Sequence, residues 1–161
     1  MPYVTHKLMT GELTVLHQTY PQTKHGYQYE INKDMHLSAA HFVPHPSAGV
    51  CQRIHGHTYF VNISVAGDEL DESGFLVDFK ALKDLVHGVW DHALLNDDRD
   101  SFSASDPNRF PTSEVVARTI WERVQAHLDT KSNHATCIQV FVRETPTSYA
   151  IFRPKKGTDL A

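Results

Sequence analysis

The sequence predicts an α+β domain in which a four-stranded antiparallel sheet carries two helices on one face. Three observations predict it. Two segments between residues 27 and 67 alternate apolar and polar side chains at a period of two, two later segments repeat apolar residues at helical spacing, and the chain closes with two short β-rich runs around the turn TPTS. Two strands, two helices and two strands in that order give an antiparallel sheet with helices segregated to one side.

The first strand is read from YQYEINKDMHLSAAHF, where Met35, Leu37, Ala39 and His41 share a face. The loop VPHPSAGVCQRI leads into HGHTYFVNISVAG, whose His55, His57, Tyr59, Val61, Ile63 and Val65 share a face in the same way. After the polar turn GDELDESG, the segment DFKALKDLVHGVWDHALL sets Phe79, Leu82, Leu85, Val86, Val89 and Ala93 at helical spacing, with Asp78 as N-cap.

The connection NDDRDSFSASDPNRFP is polar and longer than the usual link, the kind of loop that carries function. PTSEVVARTIWERVQAHL reads as the second helix, capped by Thr112 or Ser113, with Ala117, Ile120, Trp121, Val124 and Leu128 on its inner stripe. ATCIQVFVRE and YAIFRP complete a hairpin. The first stretch, to residue 25, shows some alternation in ELTVLHQTY but no identifiable partner. Open sheet edges invite pairing, so the pattern favours a homo-oligomer over a monomer.

The 161 residues fit a single domain, 1–161, large enough for a core without disulfides. No stretch approaches the roughly 18 apolar residues of a membrane span, and the start lacks the basic-then-apolar pattern of a secretory signal. A cytoplasmic protein with no membrane partner is expected. A net charge of −4 with scattered Lys and Arg offers no basic stripe for nucleic acid. The two cysteines, Cys51 and Cys137, read as separate thiols, and the count that stands out is twelve histidines.

On a strand, His55 and His57 project from one face about 7 Å apart at the backbone, within reach of one metal ion. A hairpin pairing brings His41 to the same place. Three imidazoles leave a fourth position open, the pattern of catalytic zinc, although imidazole also suits copper, iron or nickel. Spacing alone leaves open a metal site or a set of ordinary strand histidines.

Cys51, in the loop between these ligands, reads as a general base whose thiol is acidified by a nearby cation, as a fourth ligand, or as an inert thiol. Cys137, inside a predicted strand, reads as packing. Asp91 and His92 end the first helix, where they are either an oriented acid/base pair or a capping Asp beside a core His. Glu144 continues the face of Ile138, Val140 and Val142, so an apolar strand face ends in a carboxylate. Burying it requires a partner such as a flat ligand with adjacent N–H donors; otherwise the strand frays there and Glu144 is solvated or paired.

In order along the chain, SAAHF, CQRIHGHTY, DFKALK, WDHALLN, PTSEVVA and VRET resemble the family of 6-pyruvoyl- and 6-carboxytetrahydropterin synthases. The resemblance covers 27–153; residues 1–25 stand outside it as an N-terminal extension. It implies the tunnelling fold, in which subunits join their sheets into a barrel, as trimers that pair into larger rings such as hexamers. It implies zinc on His41, His55 and His57, catalysis by Cys51, Asp91 and His92, a pterin anchored by Glu144, and a pocket lined by Thr112, Ser113 and Glu114.

The three residues between Cys51 and HGH resemble the carboxy branch, whereas the pyruvoyl branch has a longer insert. The implied reaction converts 7,8-dihydroneopterin triphosphate to 6-carboxytetrahydropterin with release of acetaldehyde and triphosphate, toward queuosine. The alternatives are the pyruvoyl activity, a non-catalytic pterin- or metal-binding homologue, and an aldolase or epimerase on dihydroneopterin. Arg53, Lys80, Lys83, Arg99 and Arg109 are equal candidates for the triphosphate.

Overall fold

The two alternating segments form the centre of the sheet. A computed structural model describes residues 20–155; most of ELTVLHQTY lies outside them. The strands are β1 (Tyr29–His41), β2 (His55–Gly67), β3 (Ala93–Leu94), β4 (Thr136–Thr145) and β5 (Ser148–Phe152), and the helices are α1 (Phe79–Trp90) and α2 (Ser113–Leu128). The sheet runs β3-β1-β2-β4-β5. The four expected strands are all antiparallel to their neighbours. The two-residue β3, parallel to β1, is an addition to them.

Register places the site before any side chain is considered. Leu37 faces Tyr59, Ala39 faces His57 and His41 faces His55 across β1 and β2. The period of two then carries Leu37, Tyr59, Val61 and Ile63 into the core and the histidines to its end. Against this face pack Leu82, Val86 and Trp90 of α1, with Val116, Ile120 and Val124 of α2. Full burial of each such side chain stabilises by roughly 1.5–3 kcal/mol. At the far end of β2, Gly67 packs closely: a Cβ there would stand 2.9 Å from Leu76 Cδ1, a side-chain end that would have to shift, and 3.4 Å from the Ala135 Cα.

Both helices begin as expected. Asp78 accepts the Lys80 N–H at 2.8 Å, and Thr112, rather than Ser113, caps α2 by accepting the Val115 N–H. The inner stripe of α1 is narrower than the spacing suggested, because Phe79 and Val89 are exposed and Ala93 has left the helix for β3. The cause is local. The helix stops at Trp90, Asp91 turns to an extended conformation, and the Asp91 carboxylate and the His92 N–H both bond the Ser38 backbone. This pins the chain to the edge of β1.

A second departure lies in β4. A bulge opposite Ser64 and Val65 leaves Ile138 without a Cα partner and turns Cys137 into the core with Val140 and Val142. Burial pushes the Cys137 thiol up to about 12, so it packs as an inert group. The sheet face away from the helices is covered in part, while Asp34 and His36 of β1 stay exposed on it. Tyr20 stacks on Phe60 and Phe141, while Thr23 and the Pro21 carbonyl bond the buried Gln139. No described helix is long and apolar enough to cross a membrane.

Candidate active site

His41 is buried, and its Nδ1–H donates to the carbonyl of Pro111 at 2.6 Å, just before the N-cap of α2. The Nδ1–H of His55 donates to the carbonyl of Arg53 at 2.7 Å. A carbonyl can only accept, so in the neutral rings both Nε2 atoms carry lone pairs. Those two Nε2 atoms lie 3.0 Å apart. His57 Nε2 is buried beside them with no hydrogen-bond partner. The three rings offer ligand atoms that all lie within 4.8 Å of one another.

Lone pairs facing each other at this separation repel unless a proton or a cation stands between them. Backbone carbonyls holding the outer nitrogens are also the support that metal-binding imidazoles ordinarily have. The orphaned His57 nitrogen and the orientation of the other two rings therefore fit a divalent cation, and an all-imidazole set suits zinc. Sequence reasoning missed the carbonyls of Arg53 and Pro111, since a backbone acceptor leaves no side-chain signal.

Glu144, at the end of β4, brings Oε1 to 3.2 Å from His41 Nε2 and 3.5 Å from His57 Nε2. When His41 is protonated its Nε2–H donates to Glu144, and this bond leads the effects that hold the carboxyl below the usual range; burial opposes them, and His57 and the Ser113 hydroxyl add to them. Burial works against charge on His41, but the bond to Glu144 and the Pro111 carbonyl outweigh it and raise the ring's pKa. Burial lowers that of His57, with His41 and His55 adding to the effect and Glu144 opposing it. Beneath the cluster, the Tyr59 hydroxyl is buried without a hydrogen-bond partner, and burial pushes its pKa up.

A cavity of about 290 Å³ opens beside the histidines, lined by His41, Cys51, Thr112, Ser113, Glu114, Glu144 and Tyr149 among others. Its volume is near the low end for small-molecule sites. Cys51 reaches it from a tight helical turn at Pro46–Gln52, where Gly49 supplies a φ of 56° and the Cys51 carbonyl accepts the Val43 N–H. Cys51 is exposed. None of Arg53, Lys80, Lys83, Arg99 and Arg109 lines this cavity. Lys80 is paired with Asp84, and Arg109 donates to the carbonyls of Arg99 and Asp100.

The structure does not bring Asp91 and His92 into that cavity. His92 has a positive φ of 59° and its Nδ1 lies 2.8 Å from Asp91 Oδ2, the direct pairing that a departure from the helix permits. The backbone bond from Ser38 leads the effects that lower the Asp91 pKa. The His92 side chain is 83% exposed, not on the apolar stripe of α1 as the spacing suggested. It lines a separate groove with Ser38, Ala40, Gly56, Thr58 and His57, so this groove meets the histidine cluster from the side away from Cys51.

The family model described as 6-pyruvoyl tetrahydropterin synthase matches residues 30–155. A 6-carboxy-5,6,7,8-tetrahydropterin synthase of Bacillus subtilis is 66% identical over 143 residues, 89% of this chain and 97% of that protein. One of Synechocystis is 36% identical over 103 residues, covering 59% of this chain and 74% of the other. A solved Caenorhabditis elegans 6-pyruvoyl tetrahydropterin synthase superposes with a TM-score of 0.61 over 78% of this chain and 95% of that one. At 23% identity that last likeness concerns the fold alone. The chain belongs to the 6-pyruvoyl tetrahydropterin synthase family.

Proposed function

We propose that the protein is a cytoplasmic zinc-dependent 6-carboxytetrahydropterin synthase. It converts 7,8-dihydroneopterin triphosphate to 6-carboxy-5,6,7,8-tetrahydropterin with release of acetaldehyde and triphosphate, a lyase step toward queuosine and related deazapurines. The observation that carries this reading is the meeting, at one end of β2 and β4, of three imidazoles whose ligand atoms lie within 4.8 Å of one another and a half-buried carboxylate close to two of them, beside a cavity that His41, Glu144 and Cys51 line. The 66% identity to a protein of that name supports the choice of product.

In this reading His41, His55 and His57 hold the cation, and Glu144 anchors the pterin by accepting two adjacent N–H groups of the ring. Thr112, Ser113 and Glu114 line the ring's pocket at the start of α2. When bound, zinc supplies Lewis acidity that lowers the pKa of alcohol groups on the reactant. Cys51 takes a proton from a side-chain carbon, and His92, oriented by Asp91, moves a second proton.

Because His92 and Cys51 line different grooves of one chain, the pair serves the reaction from a neighbouring subunit. Joining of sheet edges into a barrel, as trimers or hexamers, supplies that neighbour.

The test is to incubate the purified protein with 7,8-dihydroneopterin triphosphate, identify every product and measure metal on the same sample. Acetaldehyde and 6-carboxytetrahydropterin with stoichiometric zinc are expected. A three-carbon side chain retained on the ring would assign the pyruvoyl activity instead, and bound zinc and pterin without turnover would assign a binding homologue.

A further inference from the structure

We propose that His87 is a positioning residue for His92: the two imidazoles share the carboxylate of Asp91, so that the proton affinity of one is set by the charge on the other. Asp91 Oδ2 lies 2.8 Å from His92 Nδ1 and 3.4 Å from His87 Nε2. The first contact is a hydrogen bond, donated by the ring because an ionised carboxylate only accepts; the second is a longer ion-pair contact.

Local geometry brings both rings to this oxygen. His87 lies in the last turn of α1 and Asp91 is the C-cap four residues on, a spacing that makes neighbours on a helix surface. The positive φ of 59° at His92 then folds its ring back onto the residue before it. A carboxylate at this end of a helix meets the negative pole of the macrodipole, so it needs donors or cations. Oδ1 takes the Ser38 N–H at 3.1 Å, which leaves Oδ2 to the imidazoles.

Among the described residues, His87 and His92 are the charged groups that act on Asp91. On α1, Lys83 and Asp84 stand about one turn before His87, and Asp84 is paired with Lys80. From β1 the group facing Asp91 is the uncharged Ser38 backbone, and from β2 His57 shares the groove of His92.

One carboxylate neutralises one imidazolium. With His87 uncharged, a proton on His92 meets the whole of the Asp91 charge; with His87 charged, that attraction is divided and the two cations repel. The rings therefore titrate as a coupled pair, and by linkage a proton on either weakens the other's binding by the same factor. If Asp91 and His92 are the acid/base pair of the function proposed above, on which the consequence for turnover rests, His87 sets the pH at which His92 exchanges its proton.

The experiment follows the His92 ring by NMR of isotope-labelled histidine through a pH titration of the full-length protein, in wild type, His87→Gln and His87→Lys. Gln keeps a donor near Oδ2 but never carries charge, whereas Lys carries it throughout the range. His92 should titrate about 0.5 to 1 pH unit lower in His87→Lys than in His87→Gln, the coupling of two unit charges across one carboxylate at a solvated site. Wild type should fall between them. A purely structural role would move His92 in the same direction in both variants. The limb of the kcat/KM profile for 7,8-dihydroneopterin triphosphate that reports His92 should move by the same amount.

Equal His92 midpoints in the two folded variants overturn the proposal, as does a shift in midpoint that the rate profile of an active enzyme fails to follow. Wild type alone gives a second measure, since both rings should titrate over a broader range than single sites; independent single-site curves overturn the proposal without any variant. Absence of turnover in wild type removes the proposed function, while the NMR comparison decides the coupling by itself.

Discussion

The Nε2 atoms of His41 and His55 lie 3.0 Å apart, although each ring has already committed its Nδ1 proton to a backbone carbonyl. Two neutral imidazoles so arranged repel, and a shared cation turns the repulsion into binding. Zinc should therefore stabilise the protein. At a hundredfold excess over Kd the gain is about 2.7 kcal/mol, visible as a rise in Tm. His57→Ala should abolish that rise and the stoichiometric zinc; an undiminished rise in the variant would place the metal elsewhere.

Cys51→Ala should lower turnover by about 10²- to 10⁴-fold, the usual span for a positioned base, while zinc content and pterin affinity stay as in wild type. Calorimetry and metal analysis on the same preparation check this. If zinc is lost instead, the thiol is a ligand and some other group is the base.

The separation of Cys51 from His92 within one chain has a direct kinetic consequence. Cys51→Ala and His92→Ala, each strongly impaired alone, should regain activity when their subunits are exchanged into mixed oligomers, because some sites then hold an intact Cys51 and an intact His92. Mixtures that stay inactive after verified exchange would put both groups in one subunit's site.

Away from the site, Asp98 ties α1 to α2 by accepting from the Trp90 indole at 2.9 Å and pairing with Arg123 at 2.9 Å. Burial opposes its ionisation, but the bonds from Trp90 and Ser101, with the Arg123 charge, hold its pKa below the ordinary value. A depressed folded pKa means stability that is present above the unfolded value and lost as pH falls through the folded one. Asp98→Asn should thus lower Tm at neutral pH, and the gap to wild type should close with acidification below about pH 4. A constant gap across that range would show that the charge contributes nothing.

The alternation of β1 and β2 could be read along the chain because a strand face is set by local geometry, and the hydrophobic face required one register. That register pairs His41 with His55, so convergence of the imidazoles was implicit in residues 35–65. Asp78 and Thr112 as caps were legible for the same reason. The end of α1 was not. Nothing in WDHALL shows that Ser38, more than fifty residues earlier, takes the Asp91 carboxylate and the His92 N–H and draws Ala93 into the sheet. The bulge that exchanges Cys137 for Ile138 in the core is likewise a property of pairing with β2.

By itself the sequence determined which residues could do chemistry, the elements that carry them and the side of the sheet on which three histidines emerge, since these follow from composition and backbone period. Tertiary structure decided which ring nitrogens are free, through the carbonyls of Pro111 and Arg53. It also decided that Glu144 faces two of those nitrogens, and that Cys51 and His92 line different grooves. The physical reason is that hydrogen-bond partners and cavities are made by segments distant in sequence, and no local pattern records which distant atom a side chain will meet.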